Sequence, residues 1–394
     1  MSTATSTVNP YDFLDVSALL TEEERLVRET TRSFVRDRVL PDINEWFDAG
    51  TPYPKELFRE MGRLGLLGMH LEGYGCAGMG AVAYGIVAEE IEYGDAALRS
   101  SLSVQGSLSM FPIWQYGSEE QKQRWLPGMA AGDICGCFGL TEAEAGSNPA
   151  GMRTSARKVG GDWVINGSKT WISNGTIADV AIVWARADDG TVRGFAVPTD
   201  TPGFEAREIP HRMSLRASRV SELSFTDLRV SDADLLPGVQ SMRGPLSCLS
   251  EARYGIVWGV IGSARACFES ALEYQLQREQ FGKPLAAFQL SQRKFAGMVC
   301  EISKAQLLAL HLGRLKEQGV VRPEQISVGK MNNVREALNI AREARGMLGG
   351  NGIALEFNII RHMLNLESVI TYEGTNEMHE LIIGHAVTGI PAFS

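Results

Sequence analysis

The chain has 394 residues, of which 44% are hydrophobic and 22% charged, a balance typical of a globular protein with two or three domains. Its net charge is −9 at pH 7 and it has no basic block, which argues against a nucleic-acid partner and favours small molecules or proteins as ligands. No apolar run is long enough to span a bilayer, so no membrane-embedded part is expected.

The cysteines and the N-terminal residues give an expectation about the compartment. The six cysteines have neither the spacing of a disulfide framework nor that of a zinc site, so we expect buried thiols in a reducing compartment and no metal. Residues 1–20 contain no Lys or Arg and include Asp12 and Asp15, so neither a secretory nor a mitochondrial presequence is expected. The predicted location is the cytoplasm.

The first third of the sequence is predicted to be helical. Thr21 and Glu24 have the spacing of a capping box, and apolar residues then recur on one helical face until Pro41. Glycine-rich turns separate further predicted helices, at residues 54–68, 81–93 and 118–130.

After Gly132 the apolar period changes from helical to extended. Short runs rich in β-branched residues begin at Trp163, Val180 and Phe195, and they are separated by turn signals at residues 160–161 and 189–190. This region, up to about residue 235, is therefore predicted to form a small antiparallel β domain.

From about Met242 the helical period returns and continues almost to the end. An apolar stripe with the spacing of a long bundle helix begins at Phe295 and ends at Leu312, and we interpret it as core. The predicted fold class is mainly α with a central β domain. The predicted domains are an N-terminal α-helical domain at 1–132, a middle β domain at 133–238 and a C-terminal α-helical bundle at 239–394.

A single carboxylate near the C-terminus is a candidate general base. Glu373 lies between Tyr372 and Gly374, a setting in which partial desolvation would raise its pKa. The alternative is a helix start with Thr375 or Asn376 as cap, and the local sequence alone favours it.

Two polar stretches in the β region add a possible cofactor site. Phe138-Gly139-Leu140-Thr141-Glu142 is followed by Gly146-Ser147-Asn148, a loop whose hydroxyls and amides could hold cofactor oxygens, and then by Lys169-Thr170-Trp171-Ile172-Ser173-Asn174. Together with Glu373, this arrangement resembles the acyl-CoA dehydrogenase family from about Thr21 to the C-terminus. The resemblance implies FAD bound between the middle β domain and the C-terminal helices.

The resemblance also implies which residues contact FAD. Trp171 matches the tryptophan beside the flavin ring, and Ser173 takes the place of the threonine whose hydroxyl approaches flavin N5. For Trp171 alone, an ordinary strand aromatic is the alternative. Ala143 and Asn148 depart from the family's usual Pro and Asp. The remaining residues implied in this group are Phe138, Thr141, Ser147, Thr375 and Asn376.

A further group matches residues that serve the FAD of a neighbouring subunit. Arg278, Phe281 and Gln289 fit the arginine segment that reaches across, and Gly349, Gly350 and Gly352 fit the glycine loop on the adenosine end. For the glycines, a helix C-cap after Leu348 is an equal alternative. The resemblance therefore implies a homotetramer built as a dimer of dimers.

The substrate residues resemble those of family members that act on glutaryl-CoA. In these, the residues matching Arg99 and Ser103 bind the distal carboxylate, and Glu92 and Tyr372 match a pair found in decarboxylating members; Arg253 is assigned to the substrate site as well. For Arg99, a salt bridge to Glu92 or Asp95 is the alternative that local sequence favours. Glu373 matches the family's catalytic base. Some members instead carry the base on an earlier helix, where this chain has Ala252, and Glu251 is one residue out of phase with that position.

The function implied is FAD-dependent oxidation of glutaryl-CoA, followed by decarboxylation to crotonyl-CoA and CO2, with an electron-transfer flavoprotein as acceptor. One alternative is a flavin dehydrogenase for another carboxylated acyl-CoA, such as a substituted succinyl-CoA, since Leu98 and Gly106 differ from the usual neighbours. Another alternative is a catalytically silent flavoprotein module.

Overall fold

The computed structural model describes residues 8–392. The ends of the first and third predicted domains, at residues 1 and 394, lie outside the described residues. Most of the described chain is helical, and one β-sheet domain lies in the middle, as predicted.

The N-terminal part is a set of helices, as predicted. Thr21 forms a complete capping box with Glu24 at the start of α1. The helix predicted to reach Gly68 instead ends at Arg63, because Gly65 and Gly68 have left-handed φ values of 71° and 62°. The helices are α1 (Glu22–Arg38), α2 (Ile43–Ala49), α3 (Lys55–Arg63), α4 (Ala81–Gly94), α5 (Ala96–Ser103), α6 (Phe111–Tyr116) and α7 (Glu119–Ala131).

The middle part is one sheet of seven strands with mostly antiparallel pairing, as predicted. Turns at residues 160–161 and 189–190 join β2 to β3 and β4 to β5 as hairpins. Two pairings differ from the antiparallel prediction, because β1 and β2 both run parallel to β4. The strands are β1 (Gly136–Gly139), β2 (Ser155–Val159), β3 (Asp162–Ser173), β4 (Val180–Ala187), β5 (Val192–Pro198), β6 (Phe204–Glu208) and β7 (Val220–Ser231).

The C-terminal part is a helical bundle with one short hairpin. The predicted stripe lies on α9: Met298 and Leu312 are buried, and Phe295 packs edge-on against Phe268 with ring centroids 5.9 Å apart. Its elements are α8 (Arg243–Gln277), β8 (Glu279–Gln280), β9 (Lys283–Pro284), α9 (Gln289–Glu317), α10 (Pro323–Met347), α11 (Ile359–Val369) and α12 (Asn376–Thr388).

Helix α8 takes part in two hydrophobic cores. Near its start, Cys248 and Ala252 belong to a cluster with Trp184 of the sheet. The rest of α8 packs against α4, which is apolar and buried on nearly all sides, in a cluster shared by the N-terminal and C-terminal helices. No helix within residues 8–392 is long and apolar enough to cross a membrane.

The six cysteines are all free thiols, but they are not all buried. Four of them are buried, in β1, in α8 and just before β1. Cys76 is half-buried and Cys300 is exposed, because Cys300 lies on the outer face of α9. The expectation of buried thiols is therefore wrong for these two.

Gly262 of α8 marks the closest approach of α4, and replacing it by Ala is expected to destabilise the fold. An added Cβ would lie 2.0 Å from the backbone oxygen of Glu89, so the helices would have to separate, at a cost of about 2–3 kcal/mol in unfolding free energy. The measurement is the urea unfolding midpoint. Gly297→Ala is the control: it lies in α9 with open space around it, and a gain of about 0.5–1 kcal/mol is expected. Equal effects of the two substitutions would contradict this account of the packing.

Candidate active site

Glu373 lies on the short loop between α11 and α12. Its φ is 55°, in the left-handed region, and Gly374 follows with a φ of 95°. Thr375 is the N-cap of α12, and its Oγ1 accepts a hydrogen bond of 3.4 Å from the Met378 amide. The helix-start interpretation of this stretch is therefore confirmed. It does not exclude a chemical role for Glu373, because Thr375 supplies the cap and Glu373 lies two residues before it.

The Glu373 carboxylate is in a desolvated setting. Its Oε2 atom is buried and has no hydrogen-bond partner within residues 8–392. Burial raises the pKa of Glu373 to about 7, although the nearby charges of Arg99, Arg253 and Lys330 oppose the rise. A carboxyl group with this pKa is half ionised near neutral pH, which suits a general base.

The raised pKa of Glu373 predicts how activity depends on pH. Because only the ionised carboxylate accepts a proton, kcat/KM is expected to rise with pH as Glu373 ionises, with the ionisation near pH 7. The folded-state pKa exceeds the ordinary value of 4.5, so the contribution of Glu373 to stability is lost as pH rises from 4.5 to about 7. Melting temperatures measured across this range should therefore fall less for Glu373→Gln than for the wild type. A kcat/KM profile without an ionisation near pH 7 would contradict the assignment.

Arg99 is the buried cation beside this carboxylate. It is 1% exposed, its Nε donates to Glu92 Oε2 at 2.6 Å, and its terminal nitrogen Nη2 donates to the Tyr372 hydroxyl. Although burial alone would lower the pKa of Arg99, Tyr372 and Glu92 outweigh it and raise the pKa, so the guanidinium stays charged. The salt bridge to Glu92 that the local sequence favoured is present, and the same contacts bring Arg99 next to the base.

Asp95, the other partner considered for Arg99, is engaged elsewhere. Its Oδ2 accepts from Arg361 at 2.5 Å and from Asn365 at 2.9 Å. Glu92 is held on its far side by Ser263, whose Oγ donates to Glu92 Oε1 at 3.2 Å. The arginine and its counter-charge are therefore fixed from α4, α5 and α8 together.

A π-helical segment follows the helix that carries Arg99. Helices α5 and α6 run on through Val104–Met110, which is wound as a π-helix, a form that recurs at functional sites. Ser103 precedes it, and its Oγ is buried without a hydrogen-bond partner in the described part of the chain. Tyr84 of α4 is hydrogen-bonded to Ser107 at 3.0 Å. Ser103, four residues after Arg99 on α5, thus brings a buried hydroxyl to the same face of that helix.

Leu98 is a core residue, because its side chain is fully buried in the cluster of the helical segments. Gly106, the other departure noted in the sequence, lies tightly against Gly68 and His70.

Arg253 contacts the loop that carries Glu373, whereas Glu251 is paired elsewhere. Arg253 Nε donates to the backbone oxygen of Glu373 at 2.8 Å, so it contacts the main chain of the base and not its carboxylate. Glu251 pairs with Lys316 at 2.6 Å, and Ala252 is buried. The described structure therefore brings Glu373, Arg99, Glu92, Tyr372 and Arg253 together, whereas Glu251 is paired with Lys316.

The predicted flavin face lies at the end of β3. The pairing register of β3 with β7 shifts between Lys169 and Ile172, and Trp171 there has a φ of 61° and is 62% exposed. Ser173 is half-buried two residues further on. A bulge that turns a large indole outward leaves an aromatic surface suited to a flat partner.

The loop that precedes this face is firmly anchored. Glu142 accepts hydrogen bonds from the amides of Arg153 and Thr154 and from Lys169 Nζ, at 2.6, 3.0 and 2.8 Å. Thr141 O accepts from the Thr170 amide, and Phe138 lies buried in β1. Ser147 is exposed on the same loop. Hydroxyls on a fixed loop next to an exposed indole fit FAD, which has both a flat ring and many oxygens.

The arginine segment lies at the other end of α8 from the sheet. Helix α8 is about 50 Å long, its first residues touch Trp184, and Arg278 follows its last turn. Arg278 and Gln289 are exposed, and Phe281 is 93% exposed. This surface is therefore remote from the sheet end of α8 and open for contact with another molecule.

The glycine loop forms the end of α10. Leu348 is the C-cap residue, Gly349 has a φ of 60°, and a 3-10 helix follows at Gly349–Ile353. Gly352 has no room for a side chain, because an added Cβ would lie 2.0 Å from the Arg345 oxygen, whereas Gly350 is open. The helix-end interpretation is confirmed, and the role toward FAD stays a prediction. Asn376, also assigned to FAD, bonds Glu380.

Lys330 is a residue near the base that the sequence analysis missed. It is 1% exposed, and its Nζ donates to the backbone oxygens of Gly374 and Ile370. A signal was present, since Lys330 lies four residues from both Ile326 and Val334 on the buried face of α10. A lysine at a core position of a helix is costly unless it has a partner.

Comparison with known proteins assigns the family. Three family models match, described as the acyl-CoA dehydrogenase N-terminal, middle and C-terminal domains, at residues 21–133, 137–228 and 242–388. An acyl-CoA dehydrogenase of Bacillus subtilis is 34% identical over 94% of this chain and 99% of that protein. The human mitochondrial short-chain specific acyl-CoA dehydrogenase is 33% identical over 94% of this chain and 91% of that protein.

A solved structure is more similar still. The crystal structure of a glutaryl-CoA dehydrogenase from Mycobacterium smegmatis in complex with FADH2 is 57% identical, covers 98% of this chain and 100% of that chain, and has a TM-score of 0.97. The cofactor is FAD, in agreement with the exposed indole and the anchored hydroxyl loop. Since the three family models together span most of its length, the chain belongs to the acyl-CoA dehydrogenase family.

Proposed function

We propose that this acyl-CoA dehydrogenase oxidises glutaryl-CoA and decarboxylates the product to crotonyl-CoA and CO2. The observation that carries the proposal is the buried, charged Arg99 bonded to Tyr372, the residue next to the candidate base. A buried guanidinium beside the candidate base favours a substrate that carries its own carboxylate. Ser103, whose buried hydroxyl has no hydrogen-bond partner among residues 8–392, adds a second donor for that carboxylate.

Glu373 is proposed to remove the α-proton of the thioester. Its desolvated carboxylate accepts the proton without first losing a shell of water. Arg253 and Lys330 hold the backbone around it, so the carboxylate keeps one orientation. FAD, when bound, accepts the hydride from the β-carbon, and the residues that would hold it are Phe138, Thr141, Ser147, Trp171, Ser173, Thr375 and Asn376.

The decarboxylation step is assigned to the same cluster. After oxidation the γ-carboxylate leaves as CO2, and the electron pair of the broken carbon–carbon bond is delocalised into the thioester as a dienolate. The protonated Glu373 then returns its proton to the γ-carbon, which gives crotonyl-CoA and restores the carboxylate. Arg99 would hold the carboxylate only while it is an anion, since neutral CO2 makes no charge-assisted bond with a guanidinium.

Anaerobic titration with glutaryl-CoA tests the proposal. Flavin absorbance is followed while the acyl product is identified by mass, and bleaching with crotonyl-CoA is the expected result. Bleaching with glutaconyl-CoA alone would remove the decarboxylation step. Bleaching by another carboxylated acyl-CoA but not by glutaryl-CoA would transfer the proposal to that substrate.

The proposal extends to partners. The exposed surface with Arg278, Phe281 and Gln289, and the loop with Gly349, Gly350 and Gly352, are proposed to meet the FAD of a neighbouring subunit in a homotetramer. An electron-transfer flavoprotein is the proposed acceptor. Light scattering of the purified protein tests the assembly, and a monomer with full activity would overturn the shared site.

A further inference from the structure

The base loop is held at both ends by one lysine. Lys330 Nζ donates to Gly374 O at 2.7 Å and to Ile370 O at 3.3 Å. Ile370 is the C-cap of α11 and Gly374 directly precedes the N-cap of α12, so the two carbonyls bracket the turn that carries Glu373. A single ammonium therefore closes the turn.

This turn needs such support. The left-handed φ of Glu373 is uncommon for a residue with a side chain, and the carbonyls at the end of α11 have no helical partner. Arg253 from α8 takes the carbonyl of Glu373 itself, at 2.8 Å. Cations from two helices thus satisfy three carbonyls of the loop, those of Ile370, Glu373 and Gly374.

Within residues 8–392, no carboxylate forms a salt bridge with the buried Lys330, although a purely structural lysine would normally have such a partner. Both of its bonds within the described residues go to carbonyls. Burial lowers the pKa of Lys330 to about 7, and the charge of Glu373 opposes this fall. The negative charge of Glu373 therefore helps to keep Lys330 protonated, and the ammonium charge of Lys330 in turn lowers the pKa of Glu373.

Other charged groups face the same space from each neighbouring element. Arg99 comes from α5, Arg253 from α8 and Glu377 from α12, and the charges of all three shift the pKa of Lys330. Tyr84 of α4 and Tyr372 of the loop face Glu373. His379 of α12 lies against Gly374, and burial lowers its pKa to about 3, so it is neutral at physiological pH. Lys330 is distinguished from the other cations by its direct bonds to both ends of the turn.

We propose that Lys330 is a positioning residue for the reaction: its ammonium closes the turn that carries Glu373 and keeps that carboxylate ionised. The inference rests on the proposed role of Glu373 as base. Removing the ammonium while keeping the size of the side chain should free the turn and favour the protonated, inactive form of Glu373.

The test compares holoenzyme variants Lys330→Met and Lys330→Arg. Lys330→Met is expected to move the acid limb of the kcat/KM profile upward by about one pH unit, or about tenfold in rate below the limb. Amide hydrogen exchange in residues 370–376 should quicken by about tenfold or more. Lys330→Arg, which keeps the charge and the donors, should restore the limb. Lys304→Met is the control, since Lys304 is exposed on α9 and pairs with Glu301.

Two results would overturn the proposal. If Lys330→Met binds flavin and its acid limb stays in place, the ammonium does not set the ionisation of Glu373; if exchange in the turn stays slow, it does not close the turn. Should Lys330→Met fail to fold, Lys330→Gln keeps a donor amide without the charge and should show the shifted limb, with exchange in the turn faster than in the wild type. Hydrogen exchange does not depend on turnover, so a wild type that oxidises no acyl-CoA would refute the proposed function and leave the turn measurement valid.

Discussion

Replacing Glu373 by Gln is expected to lower the rate of flavin reduction by acyl-CoA about 10⁴-fold, the upper end for loss of a positioned base. Gln has nearly the same shape but cannot accept the α-proton. Because Glu373 Oε2 has no hydrogen-bond partner in the described chain, the new amide breaks no existing contact of that atom. Flavin should therefore remain bound, and the fold should be intact. The measurement is single-turnover bleaching of the flavin without oxygen.

Glu251→Gln provides the matched control for Glu373→Gln. Glu251 lies next to the position that carries the base in some relatives, but here it pairs with Lys316. Its replacement should leave the bleaching rate within about twofold, although the pair is mostly buried and its loss should cost some stability. If Glu251→Gln abolished bleaching and Glu373→Gln did not, the base would have to be reassigned.

Replacing Arg99 is expected to change the substrate preference. In the double variant Arg99→Met with Glu92→Gln, the ratio of kcat/KM for glutaryl-CoA to that for butyryl-CoA should fall about 10³-fold, the value of a buried charge-assisted contact. Butyryl-CoA has no distal carboxylate, and any effect of the lost Arg99 charge on Glu373 acts on both substrates and cancels in the ratio. Steady-state kinetics with both substrates measure the ratio.

Two further variants separate binding from folding at this position. Arg99→Met alone leaves Glu92 buried without its cation, which is expected to cost about 3–5 kcal/mol in unfolding free energy. Glu92→Gln alone keeps the cation and should keep most of the preference for glutaryl-CoA. An unchanged substrate ratio in a folded double variant would mean that Arg99 serves only the packing of α4 against α5.

Local patterns predicted the features that depend on neighbours in sequence. The capping box at Thr21, the hairpin turns of the sheet and the cap at Thr375 all arise from residues a few positions apart, and each is present. Glu373 was found as a candidate base from its neighbours and from family resemblance. Its pKa of about 7 could not be predicted, because α5, α8 and α10 supply both the burial and the charges around it.

Contacts between distant residues were beyond the sequence. Arg99 and Tyr372 are 273 positions apart, so local patterns could suggest only the partner at Glu92. The parallel pairing of β1 with β4 was not predicted for the same reason, since β2 and β3 lie between these two strands in the sequence. The π-helical turn after Ser103 follows no simple residue pattern, and Lys330 was hidden inside an otherwise ordinary helical stripe.

The position of α8 has a consequence for how the molecule comes apart. One continuous helix contributes to the core beneath the sheet and to the core of both helical segments, with no flexible linker between the two. The apolar surface of α4 is covered largely by α8. Each helical segment would therefore expose apolar core residues to water if the other were missing. Heat or denaturant should therefore unfold the helical cores in a single cooperative transition, and proteolytic fragments cut within α8 should not retain independent stability.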